Sequence, residues 1–260
     1  MSQKKSPISL PIVTNGTSRI PPSVPMDLLL ANEHSCAYLD DRTANLPLIL
    51  CKQIITLKGT DDALAAGLRR AGIFLYYTDC LGCRACEPVR IKVDAFLWTR
   101  SWRRVLARGD RLLTTQLAPT QLSQKNLDLF NRHRSERNLG ENGTDYGYDD
   151  YESFLVESCF EQTQELRFYL DGQLVGVSVI DCGDNSISAV YTYFDPDFSK
   201  LSIGTYSILK QIELCSSTNR TYLYLGMYVK ENRHLNYKAK YVPQQRWVQG
   251  SWIDIDNWNP

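Results

Sequence analysis

Residues 165–195, ELRFYLDGQLVGVSVIDCGDNSISAVYTYFD, restrict the fold more than any other stretch of the chain. Apolar and polar residues alternate along them, with interruptions at Asp171-Gly172 and at Gly183-Asp184-Asn185. Gly, Asp and Asn tolerate the positive φ that a tight turn between twisted strands demands, so both interruptions read as hairpins joining three antiparallel strands. The period then changes. SIGTYSILKQIELCSS (202–217) reads as a helix opening near Ser202-Ile203-Gly204, and TYLYLGMYV (221–229) as a strand after it.

Meander, helix, strand is the order of the GNAT-type acyltransferase fold. The expected fold class is therefore α+β, a GNAT-like domain with a smaller N-terminal, cysteine-containing α+β domain. At 260 residues the chain has room for two modest domains. Upstream, DALAAGLRRAGI (62–73) reads as a helix stopped by Gly72, IFLYYTDC (73–80) as a strand, and VRIKVDAF (89–96) as a second strand. TQLSQKNLDLFNRHRSER (120–137) reads as a helix, followed by a Gly/Asn/Asp loop and a short helix around DYESFLVESC (150–159). The expected division is a flexible tail over 1–26, an N-terminal domain over 27–112 and the acyltransferase domain over 113–260.

Lys+Arg and Asp+Glu both total 29, so net charge points to no partner. Its distribution is more telling. Arg84 to Arg111 carries eight basic residues against three acidic, and Glu136 to Asp171 carries ten acidic against two basic. Arg100, Arg104 and Arg108 recur every four residues, with Arg111 three beyond; on a helix they make one basic stripe, and Trp98 and Trp102 interleave with it. Backbone phosphates and an unpaired 3′ end suit such a surface, although a charged stripe is also the ordinary solvated face of a helix. No apolar run approaches the length of a membrane span, and MSQKKSPISLPIVTNGTSRIPPSVP lacks the apolar core and cleavage site of a secretory signal. A cytoplasmic, reducing location is expected, where eight cysteines do not form a disulfide framework.

DCLGCRACEPVR (79–90) sets Cys80, Cys83 and Cys86 three residues apart. The spacing is part of an iron–sulfur motif without its fourth cysteine. A closed zinc site needs four ligands, and Cys36 or His34 from HSCAYL would have to supply the last. A structural zinc or iron–sulfur cluster on Cys36, Cys80, Cys83 and Cys86 stands against plain burial of small apolar thiols. Cys51, Cys159, Cys182 and Cys215 read as core or surface thiols.

SAVYTYFDPD (188–197), LSIGTYSILKQIE (201–213), YLYLG (222–226) and NYKAKYVP (236–243) resemble the C-terminal half of the arginyl-tRNA–protein transferases. CAYLDDR (36–42), CLGCRACEPVRIKV (80–93), RSWRRVL (100–106) and Arg132-His133 resemble the N-terminal half. Order and spacing are similar to the short bacterial branch, the aspartate/glutamate leucyltransferases, from about residue 30 to 252. The resemblance implies transfer of an aminoacyl group from charged tRNA to a protein's N-terminal amine, marking it for degradation. Two departures stand out: Trp102 replaces the family's usual Gln, and His234-Leu235-Asn236-Tyr237-Lys238 keeps only the Tyr-Lys end of a K-M-x-Y-K segment.

Such a reaction is ester aminolysis, which needs positioning, an acceptor for the amine proton and donors for the oxyanion, but no nucleophilic side chain and no metal. Asp195, at a strand end in YFDP, is the candidate to orient the attacking ammonium; its alternative is an Asp-Pro turn. Tyr191 and Tyr193 are expected on opposite faces of the strand, with Tyr191 lining the pocket. Tyr237 and Lys238 are candidate donors to the oxyanion or a tRNA phosphate. An acceptor that begins with Asp or Glu calls for a cation, and Arg90 and Lys92, two apart on one strand face, are assigned to it. Arg103 and Arg104, with Arg100, are the expected tRNA contacts. DFSKLSIGTYS lacks the glycine spacing of a CoA-binding loop, which disfavours an acetyltransferase. Arginyl transfer to the same acceptors and a non-catalytic, metal-binding RNA adaptor are the competing readings.

Overall fold

The computed structural model describes residues 19–137 and 144–257. The tail expected over 1–26 lies outside the described residues as far as residue 18, as do residues 138–143 of the Gly/Asn-rich loop. The rest of that tail is packed, with Val24 buried in an apolar cluster. In chain order the first elements are β1 (Met26–Leu30), β2 (Glu33–Ser35), β3 (Thr43–Asn45), β4 (Leu48–Cys51), α1 (Leu57–Ala65), β5 (Arg69–Ala71) and β6 (Phe74–Tyr76). They form a four-stranded sheet in the order β1-β4-β6-β5 and a separate β2-β3 hairpin.

The helix expected over 62–73 is displaced. Thr56 starts α1 by accepting from the Gly59 N–H at 3.2 Å, and Gly67 ends it in the left-handed region at φ +77. Arg69–Ala71 then runs as a strand, with Arg69 paired to Tyr76. A glycine five residues before Gly72 stops the helix, and the apolar spacing that suggested one continues by coincidence into β5.

The second part comprises β7 (Glu87–Lys92), α2 (Arg100–Leu112), β8 (Thr114–Pro119), α3 (Gln124–Glu136), α4 (Tyr148–Tyr151) continued by a π turn over Glu152–Val156, β9 (Thr163–Leu170), β10 (Gln173–Cys182), β11 (Ser186–Phe194), α5 (Ile203–Ser217), β12 (Tyr222–Tyr228), β13 (Gln244–Val248) and β14 (Ser251–Ile255). Eight strands form one sheet in the order β14-β13-β7-β12-β11-β10-β9-β8. β7 sits inside it and thus crosses the division expected at residue 112. Only the β11–β12 pair is parallel, as the intervening α5 crossover requires.

Helices cover both faces. Ile208, Leu209 and Ile212 of α5 pack with Ile180, Ile187 and Leu223 of the sheet, and Trp98, Trp102, Val105 and Leu106 close the same cluster. Leu127 and Phe130 of α3 pack with Tyr151, Val177, Val179 and Tyr193 on the opposite face. The small sheet is locked to the large one by Arg70, whose Nε lies 2.9 and 3.0 Å from the Asp181 carboxylate oxygens at the end of β10. No helix among the described residues is long and apolar enough to cross a membrane.

Candidate active site at a split between parallel strands

β11 and β12 pair over Ser186–Ser188 and Tyr222–Tyr224 and then part. Two irregularities drive them apart. The β10–β11 register shifts between Ile180↔Ala189 and Val179↔Tyr191, leaving Val190 as an extra residue. On β12, Gly226 takes φ +84 where the register with β7 shifts. Beyond this point the facing backbone groups of the two strands have no ladder, and side chains take them up. Arg69 Nη2 donates to the Ala189 carbonyl at 2.9 Å, and Lys238 Nζ to the Met227 carbonyl at 2.6 Å. Further along, His133 Nδ1 sits 2.9 Å from the carbonyl of Phe194 and 3.1 Å from its N–H. Phe194 therefore turns both groups away from β10, toward the gap.

Arg69 and Lys238 are 8% and 6% exposed. Neither forms an ion pair among the described residues. They converge on one point, because a Cβ added to Gly226 would lie 3.1 Å from Arg69 Nη2 and 3.8 Å from Lys238 Nζ. Burial, and less strongly the Arg69 guanidinium, pulls the Lys238 ammonium down to about 7. The Tyr76 hydroxyl is hydrogen-bonded to Arg69, and burial pushes it up while Arg69 opposes the shift. The half-buried Tyr38 phenol is raised by burial and also feels Arg69. Asn232 Nδ2 donates to the Tyr38 carbonyl at 3.1 Å, tying the β2–β3 hairpin to the loop after β12. Burial lowers His133 to about 4, so it is neutral near pH 7.

Of the residues singled out from the sequence, Lys238 enters this split from the 3-10 turn Asn236–Lys240, and the exposed Tyr237 on the same turn keeps its ring 5.6 Å from the Lys238 ammonium. Tyr191 and Tyr193 do not face opposite ways. Residues two apart on a strand share a face, and both rings pack on Phe130, at 5.5 and 5.4 Å. Tyr193 is fully buried with its hydroxyl 2.7 Å from that of Tyr151, whereas Tyr191 is half-buried and feels Arg134 and Arg137. Asp195 has no free oxygen for an ammonium. Oδ1 accepts from the Asp197 N–H at 3.0 Å and Oδ2 from Arg132 Nη1 at 2.9 Å, so it caps the Asp-Pro turn after β11.

Arg90 and Lys92 lie on β7, across β12 from the split. Lys92 pairs with Tyr222, which pairs with Ser186, nine residues and roughly 30 Å of strand from Asp195. Arg90 is clamped between the rings of Tyr222 and Trp252, at 4.1 and 4.2 Å, and donates to Gln245 and to the Tyr224 hydroxyl. The exposed Lys92 lies 3.6 Å from Asp94. Arg69, whose Nη2 does reach the split, lies in the stretch expected to form the end of a helix.

The basic stripe is helical, and Arg100, Arg103, Arg104 and Arg111 are exposed along α2. Trp98 and Trp102 turn inward instead of offering rings to bases. Trp102 stacks on Tyr241 at 4.9 Å and 8°, and Trp98 meets Phe96 edge-on. Tyr241 in turn meets Tyr237 edge-on at 6.5 Å. The first turn of α2 is thereby joined through three aromatic rings to the split.

Cys36, Cys80 and Cys83 all act on the Cys86 thiol, which burial and their charges push up to about 12. Cys80 Sγ accepts from the Asn45 N–H at 3.3 Å. The four expected ligands are thus neighbours. Among the described residues, however, no three Cys, His, Asp or Glu side chains are grouped closely enough to hold a metal ion. As placed, the thiols do not fit a closed zinc or iron–sulfur site, and all eight cysteines are free.

Residues 34–104 match the family described as Arginine-tRNA-protein transferase, N terminus, and residues 125–248 its C terminus. The chain belongs to the arginine-tRNA-protein transferase family. Among curated members, the aspartate/glutamate leucyltransferase of Hahella chejuensis is 37% identical over 223 residues, covering 86% of this chain and 94% of that one. The one from Thiobacillus denitrificans is 36% identical over 237 residues, covering 91% and 98%. Both stretches of the transferase family contribute to the split, the N-terminal one through Tyr38, Arg69 and Tyr76 and the C-terminal one through β11, β12 and Lys238. A solved structure of FemX overlaps 76% of this chain and 79% of its own at 7% identity and a TM-score of 0.43, a likeness too slight to bear on fold or function.

Proposed function

We propose that the protein is an aminoacyl-tRNA–protein transferase that moves leucine from charged tRNA to the N-terminal amine of proteins beginning with Asp or Glu, creating a degradation signal. The large sheet with its flanking helices is read as a GNAT-like acyltransferase domain, and the small sheet with the cysteine loop as its N-terminal α+β companion. Charged tRNA and the reduced thiols both favour the cytoplasm.

The reaction forms a C–N bond between the acceptor amine and the leucyl carbonyl carbon and breaks the ester C–O bond to the terminal ribose. The amine proton ends on the departing ribose oxygen. An α-amine titrates at about 7.7–8.0, so its neutral form is populated near pH 7 without a strong base. The reacting groups need to be held together while an oxyanion forms. The unladdered edges of β11 and β12 are assigned to the acceptor main chain and the oxyanion, and the exposed Tyr237 hydroxyl to the mouth. The exposed arginines of α2 are assigned to tRNA phosphates, with the acceptor end passing the exposed Tyr237 toward the split. Asp195 is assigned a positioning role through Arg132, keeping the end of β11 in place beside His133. The thiol cluster takes no part in these steps.

The parting of β11 from β12, lined by both family segments, carries this reading. Purified protein is given tRNA charged with labelled leucine or arginine and peptides starting with Asp, Glu or Ala. Label moving from leucyl-tRNA to the Asp and Glu peptides is the expected result. Movement of arginine instead would replace the donor, and movement of neither would overturn the reading.

A further inference from the structure

Among the described residues, Arg69 and Lys238 lie inside the split without a carboxylate, and Lys238, drawn down to about 7, is half protonated at neutral pH. A buried charge left unpaired is expensive, and a guanidinium beside an amine able to take up a proton, with no counter-ion, is a site ready for an anion. Each group is held by a main-chain carbonyl, Ala189 for Arg69 and Met227 for Lys238, from the two strands that part, and Arg69 is also hydrogen-bonded to the Tyr76 hydroxyl. These few contacts leave donors over on both head groups, since a guanidinium has five N–H and an ammonium three. The head groups meet over Gly226, where the missing side chain leaves room. The surrounding groups add no negative charge at neutral pH. Tyr76 and Tyr38 are phenols held protonated by burial, and Arg69 is the charged group that Lys238 feels.

We infer that Arg69 and Lys238 together receive the side-chain carboxylate of the acceptor's first residue and set the preference for Asp and Glu over their amides. The assignment rests on the transferase reading above. Arg69 supplies two parallel N–H groups to a planar carboxylate, and Lys238 closes on one oxygen from the facing strand. Asn or Gln in the same place brings no charge to draw a proton onto Lys238 and puts an amide NH2 against the Arg69 guanidinium, so the uncharged analogue is rejected by lost attraction as well as by repulsion. The acceptor's α-amine is then held in the gap between β11 and β12.

The test compares kcat/KM for peptides starting with Asp and Asn, and with Glu and Gln, using leucyl-tRNA and the full chain. The enzymes are wild type, Arg69→Gln, Lys238→Met and Lys238→Arg. Wild type is expected to favour the acid over the amide by about 100-fold or more, a ratio that Arg69→Gln and Lys238→Met reduce toward one, mainly through KM. Lys238→Arg is expected to restore a clear preference. A second arm needs no variant. Calorimetric titration of wild type near pH 8, in buffers of different ionisation enthalpy, should show proton uptake with the Asp peptide and none with the Asn peptide. Wild-type transfer to no peptide would bring down the functional reading and this assignment with it. Selective wild-type transfer with equal losses for acid and amide in the variants, or with no proton uptake, would overturn the assignment alone.

Discussion

Lys238 illustrates how one buried amine ties stability to pH. Its ordinary value is 10.5, and in the folded chain burial takes it down to about 7. Between those two pH values the unfolded chain holds a proton that the folded chain has released, so stability rises with pH across the window. Below about 7 both states are protonated and the burden of the buried charge is fully present. Of the groups facing Lys238, Arg69 opposes its charge, while the Met227 carbonyl and the Tyr237 ring at 5.6 Å compensate it without outweighing burial. Other groups act in the opposite sense at high pH: the Cys86 thiol, pushed up to about 12, stays protonated when folded but ionises when unfolded. The informative quantity is therefore the difference between wild type and Lys238→Met. That difference should grow by up to about 5 kcal/mol in favour of wild type from pH 7 to 10.5, as the wild-type amine sheds its charge. Urea unfolding at intervals across that range measures it. A difference that stays flat with pH would mean that Lys238 keeps its ordinary value and that its surroundings are not the dry cationic pocket described here.

α2 carries two faces whose roles the sequence mixes. The four-residue recurrence of its arginines was legible because helical period is a local property, and the helix spans Arg100–Leu112 as that spacing implies. Which side the tryptophans take is not local. Trp102 is turned inward by Tyr241, 139 positions away, and no spacing within 98–111 records that partner. The same limit explains the helix misplaced onto 62–73, where β5 takes its identity from pairing with β6 and not from its own three residues. The solvent face of α2 makes a prediction about tRNA. Arg104 is exposed, and Arg108 is tethered by Ser202 Oγ at 3.2 Å. Arg104→Ala should weaken binding of every tRNA alike and lower the slope of log K against log salt by about 0.7–0.9, one phosphate contact. Arg108→Ala should change that slope less. Filter binding over a salt series distinguishes the two, and an unchanged slope for Arg104→Ala would remove α2 from the tRNA path.

The split exists only because two sheets are joined. Arg69 and Arg70 are neighbours on β5 with opposite destinations: Arg70 to Asp181 at the end of β10, and Arg69 to Ala189 on β11. The meander, the crossover helix and the strand after it could be read from 165–229, since each is set by local pattern; the parting of β11 from β12 could not. Tyr237 and Lys238 could be found through a short motif. Arg69 could not, because what makes it part of the site is a contact spanning 120 residues. Arg70 and Asp181 are each about 1% exposed at the side chain, and Asp181 also accepts from Thr163 Oγ1 at 2.8 Å. Removing one partner of such a pair leaves a bare buried charge, which costs about 3–5 kcal/mol. Asp181→Asn should therefore melt well below wild type. It should also lose acid-over-amide selectivity disproportionately to its loss of tRNA binding, because β5 carries Arg69 while α2 is seated on α5. An Arg70→Met/Asp181→Leu double variant replaces the pair with apolar bulk and should recover much of the stability, and selectivity with it wherever β5 returns to its place. Thermal melts run alongside the acid/amide ratio read both effects. If Asp181→Asn kept full selectivity despite a lowered melting point, the two destinations of Arg69 and Arg70 would be independent, and the site would not depend on how the small sheet is docked.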